Sequence, residues 1–480
     1  MHSLAYHLIV DKVIRRKIDI LYAIQNQPRT VTELAQDCNV SVKTILSTVQ
    51  ELLLELPSDL SIELINPSVV YLKVQNFFSF SQYIKSLLNI SPLFQVIESI
   101  FKGQIINIET FSDTLFISER TLRTYLSTLE SFLATYQLSL NKKPLDIVGK
   151  ESDIRSFYSD YFRYAREKPE SQMTEMNALA TYKILNPLSK GYGAVLNVDY
   201  YHLLSWLQIF EHRISQGHQI ILDQEVIEKY SQTKSFHNFK ESFFHYFKNN
   251  LILKNISTSE LIYAFIVRLN SIIYEDDTVF FMEDYLEYVT PFDSITTNFF
   301  KKLAIHLTLH VDLRMKIQCF LANLNFLTDI TPLFQKGDPE LINVVSTHHE
   351  EIYNTWISLL KQDTQWQFPE DIAVNLTLIT ASYLTLNEYK DKKLLIALSG
   401  DPVALNYSIT IAKKILPEKM NCFFIFNKPI TNNLLETLSI DVCIYNFNPL
   451  ETLTAATLIR LSDTPTEDEW YYNLNKLYTF

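Results

Sequence analysis

Residues Ile117–Phe132 read ISERTLRTYLSTLESF. Leu122, Leu126 and Leu129, continued by Leu133, recur at the spacing of one helix face. The other face carries Arg120, Arg123, Thr124 and Ser127. Such a helix either turns its polar face to water or presents two arginines to something negatively charged. The sequence around it decides between these readings.

Shifting the chain by 77 positions lays TELAQDCNVSVKTILSTVQEL, from Thr32, on ETFSDTLFISERTLRTYLSTLE, from Glu109. Leu34 falls on Phe111, Cys38 on Leu115, Val40 on Ile117, Ser41 on Ser118 and Thr44 on Thr121. Ile45, Val49 and Leu52 then fall on Leu122, Leu126 and Leu129. Apolar positions meet apolar positions without a gap, which indicates a duplicated unit.

In the first copy Ile14–Ile24 supplies a helix, Thr30 with Glu33 forms a capping box, and Ser41 suits the N-cap of a longer helix. In the second copy Leu93–Phe101 is the first helix and Ser118 the N-cap of the long one. Beyond each long helix, SIELINPSVVYLKV and YQLSLNKKPLDIVG alternate apolar and polar residues around an Asn/Pro turn, the pattern of a hairpin. Helix-turn-helix plus hairpin is a winged helix-turn-helix, expected over residues 1–75 and again over 76–160.

In that motif the long helix lies in the major groove of double-stranded DNA. Arg120 and Arg123 sit in its first two turns, where an arginine pairs with guanine or holds phosphate. Thr124 and Ser127 share their face, and Lys142 and Lys143 stand at the hairpin tip, where a wing reaches the backbone. The first copy offers Lys43, Ser47 and Gln50 on its long helix, with Arg15, Arg16 and Lys17 upstream.

The charge distribution agrees. The chain of 480 residues has a net charge of −12, yet residues 1–150 hold 14 basic and 14 acidic side chains. The remaining 28 basic and 40 acidic residues lie beyond, so a neutral N-terminal third precedes an acidic body. Hydrophobic content of 47% excludes wholesale disorder, and only 7 glycines argue against a Gly-rich phosphate loop. Cys38, Cys319, Cys422 and Cys443 are scattered without a CxxC pair, as expected in a reducing cytoplasm without structural zinc. No apolar run approaches a membrane span, and in MHSLAYHLIVDKVIRRK the charges follow the apolar segment, the reverse of a secretory signal. The expectation is a cytoplasmic protein with no membrane partner.

Amphipathic helical segments follow, such as YHLLSWLQIFEHRI and SELIYAFIVRLNSIIY, broken at KNIST, TPFDS, TPLFQKGDPE and WQFPED. They read as two all-α bundles, 165–287 and 288–390, with a weak repeat that sets Arg213 against Arg314. In 391–480 the short apolar runs KKLLIALSG, MNCFFIF and IDVCIYNF alternate with helical stretches, which indicates a small α/β domain with a parallel sheet. The fold class is multidomain and mainly α.

This order, with GKESDIRSFY at 149–158, resembles the Mga family of regulators from Gram-positive cocci. There, two helix-turn-helix domains precede two phosphotransferase-system regulation domains and a domain like the B component of sugar permeases. The stretch is similar to the junction pattern G-x-E-x-x-I-R-x-F through Gly149, Glu151, Ile154, Arg155 and Phe157. The resemblance implies cytoplasmic transcriptional control, often of virulence or sugar-metabolism genes.

It also implies regulation by phosphorylation of bundle histidines, with phosphotransferase-system phosphocarrier proteins as partners. The usual context is a histidine about seven residues before an arginine. Trp206 occupies that place before Arg213, where His202 and His212 are only neighbours. His306 lies eight residues before Arg314, with His310 one turn on. The permease component carries a nucleophilic Cys after its first strand; here Ser399 and Gly400 stand there. The domain is therefore expected to hold a homodimer or to sense, rather than to relay phosphate.

No metal-ligand spacing, G-x-S-x-G or paired carboxylates on a Gly-rich strand end occur, so neither an enzyme nor a cofactor is expected. Two alternatives stay open: an RNA-binding antiterminator regulated by histidine phosphorylation, which would begin with a small β domain, and a phosphotransfer protein, which would need the missing cysteine.

Overall fold

The computed structural model describes residues 3–66, 68–104, 107–165, 199–247, 253, 256–271, 285–305, 310–336, 339–363, 365–366, 368–387, 393–416, 421–463 and 465–477. The chain divides into two units, Met1–His348 with Thr355–Val374, and His349–Asn354 with Asn375–Phe480.

The first unit begins with α1 (Ser3–Leu8) and α2 (Lys12–Asn26), whose N-cap Asp11 accepts the Val13 and Ile14 amides. Strand β1 (Arg29–Thr30) leads into α3 (Val31–Asp37), opened by the Thr30–Glu33 capping box. The Glu33 amide donates to Thr30 Oγ1 at 3.1 Å, and the Thr30 amide donates to Glu33 Oε2 at 2.8 Å. Next come α4 (Val42–Glu55), β2 (Leu60–Asn66) and β3 (Val69–Val74). The second round runs α5 (Phe77–Asn89), α6 (Pro92–Phe101), α7 (Ile108–Thr114), α8 (Glu119–Ala134), β4 (Ser139–Lys142) and β5 (Leu145–Val148).

The two rounds repeat in atomic detail. Ser41 Oγ accepts the Thr44 amide at 3.2 Å, and Ser118 Oγ accepts the Thr121 amide at 3.1 Å. Asn39 and Phe116 hold the same place between the short and long helices, both with left-handed backbone (φ +52° and +56°). Ile45, Val49 and Leu52 are buried as Leu122, Leu126 and Leu129 are. They join one continuous core that also takes in Leu4, Ile97 and Phe157.

The hairpins differ in one respect. β4 and β5 form a two-stranded antiparallel pair with Lys142 opposite Leu145. In the first copy β1 adds to the pair, giving the order β1-β3-β2, a strand that a two-residue segment does not announce in sequence.

Helix α9 (Glu151–Asp160) follows β5 directly. At Gly149, just before it, an added Cβ would meet a methyl of the Leu138 side chain, which would have to shift. The helical body contains α10 (Tyr200–Ser215), α11 (Gln224–Ser231), α12 (Lys234–Tyr246), α13 (Thr258–Val267), α14 (Tyr285–Val289), α15 (Asp293–Lys302), α16 (Val311–Thr328) and α17 (Pro339–His348). Helices Glu350–Gln362 (α18) and Ala373–Asn387 (α19) follow.

The second unit carries an all-parallel sheet in the order β7-β6-β8-β9, from β6 (Lys393–Leu398), β7 (Asn421–Phe426), β8 (Val442–Tyr445) and β9 (Thr457–Arg460). Helices Pro402–Ile415, Asn432–Leu438 and Glu467–Leu477 alternate with the strands. Successive residues of β6 face opposite ways: Leu394, Ile396 and Leu398 enter one apolar cluster, Leu395 and Ala397 the other. Both faces are thus covered, as a parallel sheet requires. Beyond β6, Ser399 Oγ donates to Asn427 Oδ1 at 3.1 Å. Cys443 on β8 is buried, and burial pushes its thiol up to about 12. Among the described residues no helix is long and apolar enough to cross a membrane.

Candidate nucleic-acid interface

Ser118 starts α8, and its four buried leucines fix the helix's rotation about its axis. Arg120, Arg123, Thr124 and Ser127 then share the exposed side. Arg123 pairs with Glu119 at 3.2 Å, both side chains about half exposed. Such a pair adds little to stability and exchanges readily for a stronger anion. Arg120 has no partner for its guanidinium among the described residues. Thr124 Oγ1 donates to the Arg120 carbonyl at 3.0 Å, so that hydroxyl is turned along the helix. At the hairpin, Lys142 pairs with Glu130 of α8 at 2.8 Å, while Lys143 stands exposed at the tip.

In the first copy α4 exposes Lys43, Ser47 and Gln50, as the spacing predicts. Arg15 and Arg16 are half-exposed, and Lys17 is buried. Lys17 falls between Ile14, Ile18 and Leu21 on the buried stripe of α2 and is 8% exposed. Its ammonium lies 2.7 and 2.9 Å from the Glu55 oxygens and 3.4 Å from Glu51. The Glu55 carboxyl, hydrogen-bonded by Lys17 and then by Tyr83, is held below the usual range. Arg16 Nε donates to Thr48 Oγ1 at 2.8 Å. Arg15 donates to the Tyr6 carbonyl at 3.1 Å and lies 4.6 Å from the Tyr6 ring centroid. These three cations fasten α2 to its neighbours.

The bundle histidines divide as well. His202 is buried, accepts the Trp206 indole N–H at 3.0 Å and lies 3.5 Å from Ser159 Oγ. Burial and then the Arg163 charge lower its pKa to about 4. The ring of this phosphorylation candidate is thus enclosed in the bundle and held neutral. His212 stacks on Phe101 with centroids 4.3 Å apart, and its Nε2 lies 2.7 Å from the Phe101 carbonyl. Gln216 donates to the same carbonyl at 2.8 Å, so both side chains cap the end of α6. His310 is half-buried at the N-cap of α16, and Arg314 pairs with Asp293 at 2.6 Å. His306 lies outside the described residues.

The junction stretch contains an ionic network that its sequence does not reveal. Arg155, fully buried on α9, donates both Nη groups to Glu260 of α13 at 2.8 Å, and its Nε to Glu151 at 2.9 Å. Glu151 also takes Arg213 of α10, at 2.9 and 2.7 Å. Burial alone would raise the Glu151 carboxyl, but Arg213 and then Arg155 outweigh it and hold it low. Arg213 is thereby explained without a phosphohistidine. Glu260 stands 105 residues from Arg155 and carried no sequence signal.

Residues 76–162, from α5 to just past α9, match the Mga helix-turn-helix domain. The capsule synthesis positive regulator AcpA of Bacillus anthracis is 27% identical over 225 residues, 46% of this chain and 46% of its own. The capsule synthesis positive regulator AcpB of the same organism is 24% identical over 235 residues, 47% of this chain and 48% of its own. In each case the chain spans just under half of the relative's length. Residues 76–162 therefore form an Mga helix-turn-helix domain, and the chain is similar over just under half of its length to two capsule synthesis positive regulators.

Proposed function

We propose that this chain is a cytoplasmic transcriptional regulator that binds double-stranded DNA through both helix-turn-helix copies, 1–75 and 76–160. The observation that carries the reading is the exposed face of α8. Its register is locked by four buried leucines, so Arg120 and Arg123 stand outward beside a basic hairpin tip. A helix so presented matches the shape and charge of a major groove. The first copy is the weaker reader, with Lys43 as the exposed basic residue among those expected on its long helix.

The helical body, 165–287 and 288–390, is proposed to modulate binding in the manner of phosphotransferase-system regulation domains. Glu151 supports this: it follows β5 closely and is held by Arg213 of α10, so the wing's far end is chemically tied to the bundle. The unit 391–480 is proposed to hold a homodimer, setting paired reading heads on one duplex. No catalytic role is proposed.

The test is fluorescence anisotropy of the full chain with a mixed-sequence duplex as DNA and as RNA. Tighter binding to DNA supports the reading. Equal or tighter binding to RNA overturns it and favours the antiterminator alternative.

A further inference from the structure

Phe116 occupies the turn between α7 and α8 with φ +56° and is 95% exposed. Its amide donates to the Asp113 carbonyl at 3.1 Å and the next amide, of Ile117, to the Ser112 carbonyl at 3.1 Å. That is the left-handed helix cap normally filled by glycine or asparagine. A bulky side chain is disfavoured there because its Cβ crowds the backbone. The first copy shows the ordinary solution. Asn39 sits at the equivalent place with φ +52°, and its turn makes the matching bonds at 3.0 and 2.9 Å. The other described non-glycine residues in this conformation are Gln137, Ala304, Asn427 and Ser439, none of them aromatic.

Phe116 thus bears a backbone penalty and gains nothing from burial. Strain combined with near-complete exposure points to a contact outside the chain. The ring stands two residues before the Ser118 cap and four before Arg120, at the end of α8 that enters a groove in this motif. We propose that Phe116 is a specificity-determining residue that packs its ring on a thymine methyl group at the edge of the major groove, the apolar feature of base edges there. The inference rests on the DNA-binding reading above.

Its signature differs from that of the arginines. An apolar contact displaces no counterion, so its loss leaves the salt dependence unchanged. The probe is a duplex enriched from a randomised DNA library by the full-length chain. Phe116→Asn copies the first copy's residue, so the fold accepts it, and the melting temperature stays equal or rises. The expected result is a loss of affinity on the order of tenfold with the same slope of log K against log salt, whereas Arg120→Ala lowers that slope by about one. Deoxyuridine in place of thymidine in the probe is expected to weaken wild type and leave Phe116→Asn unaffected. Wild-type binding that Phe116→Asn matches, or equal sensitivity of both to deoxyuridine, overturns this inference alone. A wild type that enriches no duplex overturns the DNA reading and this inference with it.

Discussion

Replacing Glu260 with alanine is expected to open the junction between the hairpin of the second copy and the helical body. Arg155 is fully buried and Glu260 nearly so, and the two are joined by paired 2.8 Å bonds. An arginine does not shed its proton, so the variant strands a guanidinium with Glu151 as its remaining carboxylate. Glu260 also accepts the buried Ile220 amide at 2.7 Å, which the variant leaves unbonded. Breaking a buried pair from one side costs about 3–5 kcal/mol. Hydrogen exchange followed by mass spectrometry on peptides covering α9 and α13 reads this directly. At about 1.4 kcal/mol per factor of ten, exchange there should quicken roughly a hundred- to several-thousand-fold. Arg155→Met with Glu260→Leu removes both charges and should cost less than the two single substitutions added together. An acceleration below about tenfold in Glu260→Ala would refute the reasoning, because it would mean that water replaces the carboxylate at little cost.

Three further outcomes are expected. His202 stays neutral to about pH 4 in the fold but takes up a proton near its ordinary 6.5 when unfolded. Its contribution is therefore intact above about pH 6.5 and is lost as pH falls toward 4, by about 1.4 kcal/mol per pH unit. Denaturant titrations across that range should show the fall, and His202→Gln should flatten part of it. Ser118→Ala removes the N-cap of α8 and should lower stability by about 1 kcal/mol, read as a lower melting temperature. Deleting residues 391–480 should move the chain toward monomer in sedimentation and weaken DNA binding; an unchanged dimer fraction removes that unit from the interface.

The parts of the fold that depend on neighbours in sequence were legible. The repeat predicted both caps and the buried leucine stripe, because a helix face is a matter of spacing over a few turns. The three strands β6, β7 and β8 showed as apolar runs for the same reason. β9 did not, since it has four residues, Thr457–Arg460, of which only Ile459 is buried. What failed was what depends on distant partners. Lys17 read as one of three consecutive basic residues, but the carboxylates of Glu51 and Glu55 across the core of the first copy decide its place. The sequence likewise does not show that His202 bonds Trp206 or that His212 stacks on Phe101 at the end of α6. Phe116 is not marked in the sequence, because its backbone angle, not the alternation of residue types, sets it apart.

The most direct test of the central claim is the salt dependence of DNA binding by the full chain and by Arg120→Ala/Arg123→Ala. Both side chains face away from the leucine stripe, so the fold should be kept. Each lost contact should cost about 1–3 kcal/mol, and the affinity of the wild type should fall steeply between low and physiological salt. The account predicts a double variant bound roughly thirtyfold more weakly or worse, with a shallower slope. A double variant that binds DNA with wild-type affinity and slope would contradict it.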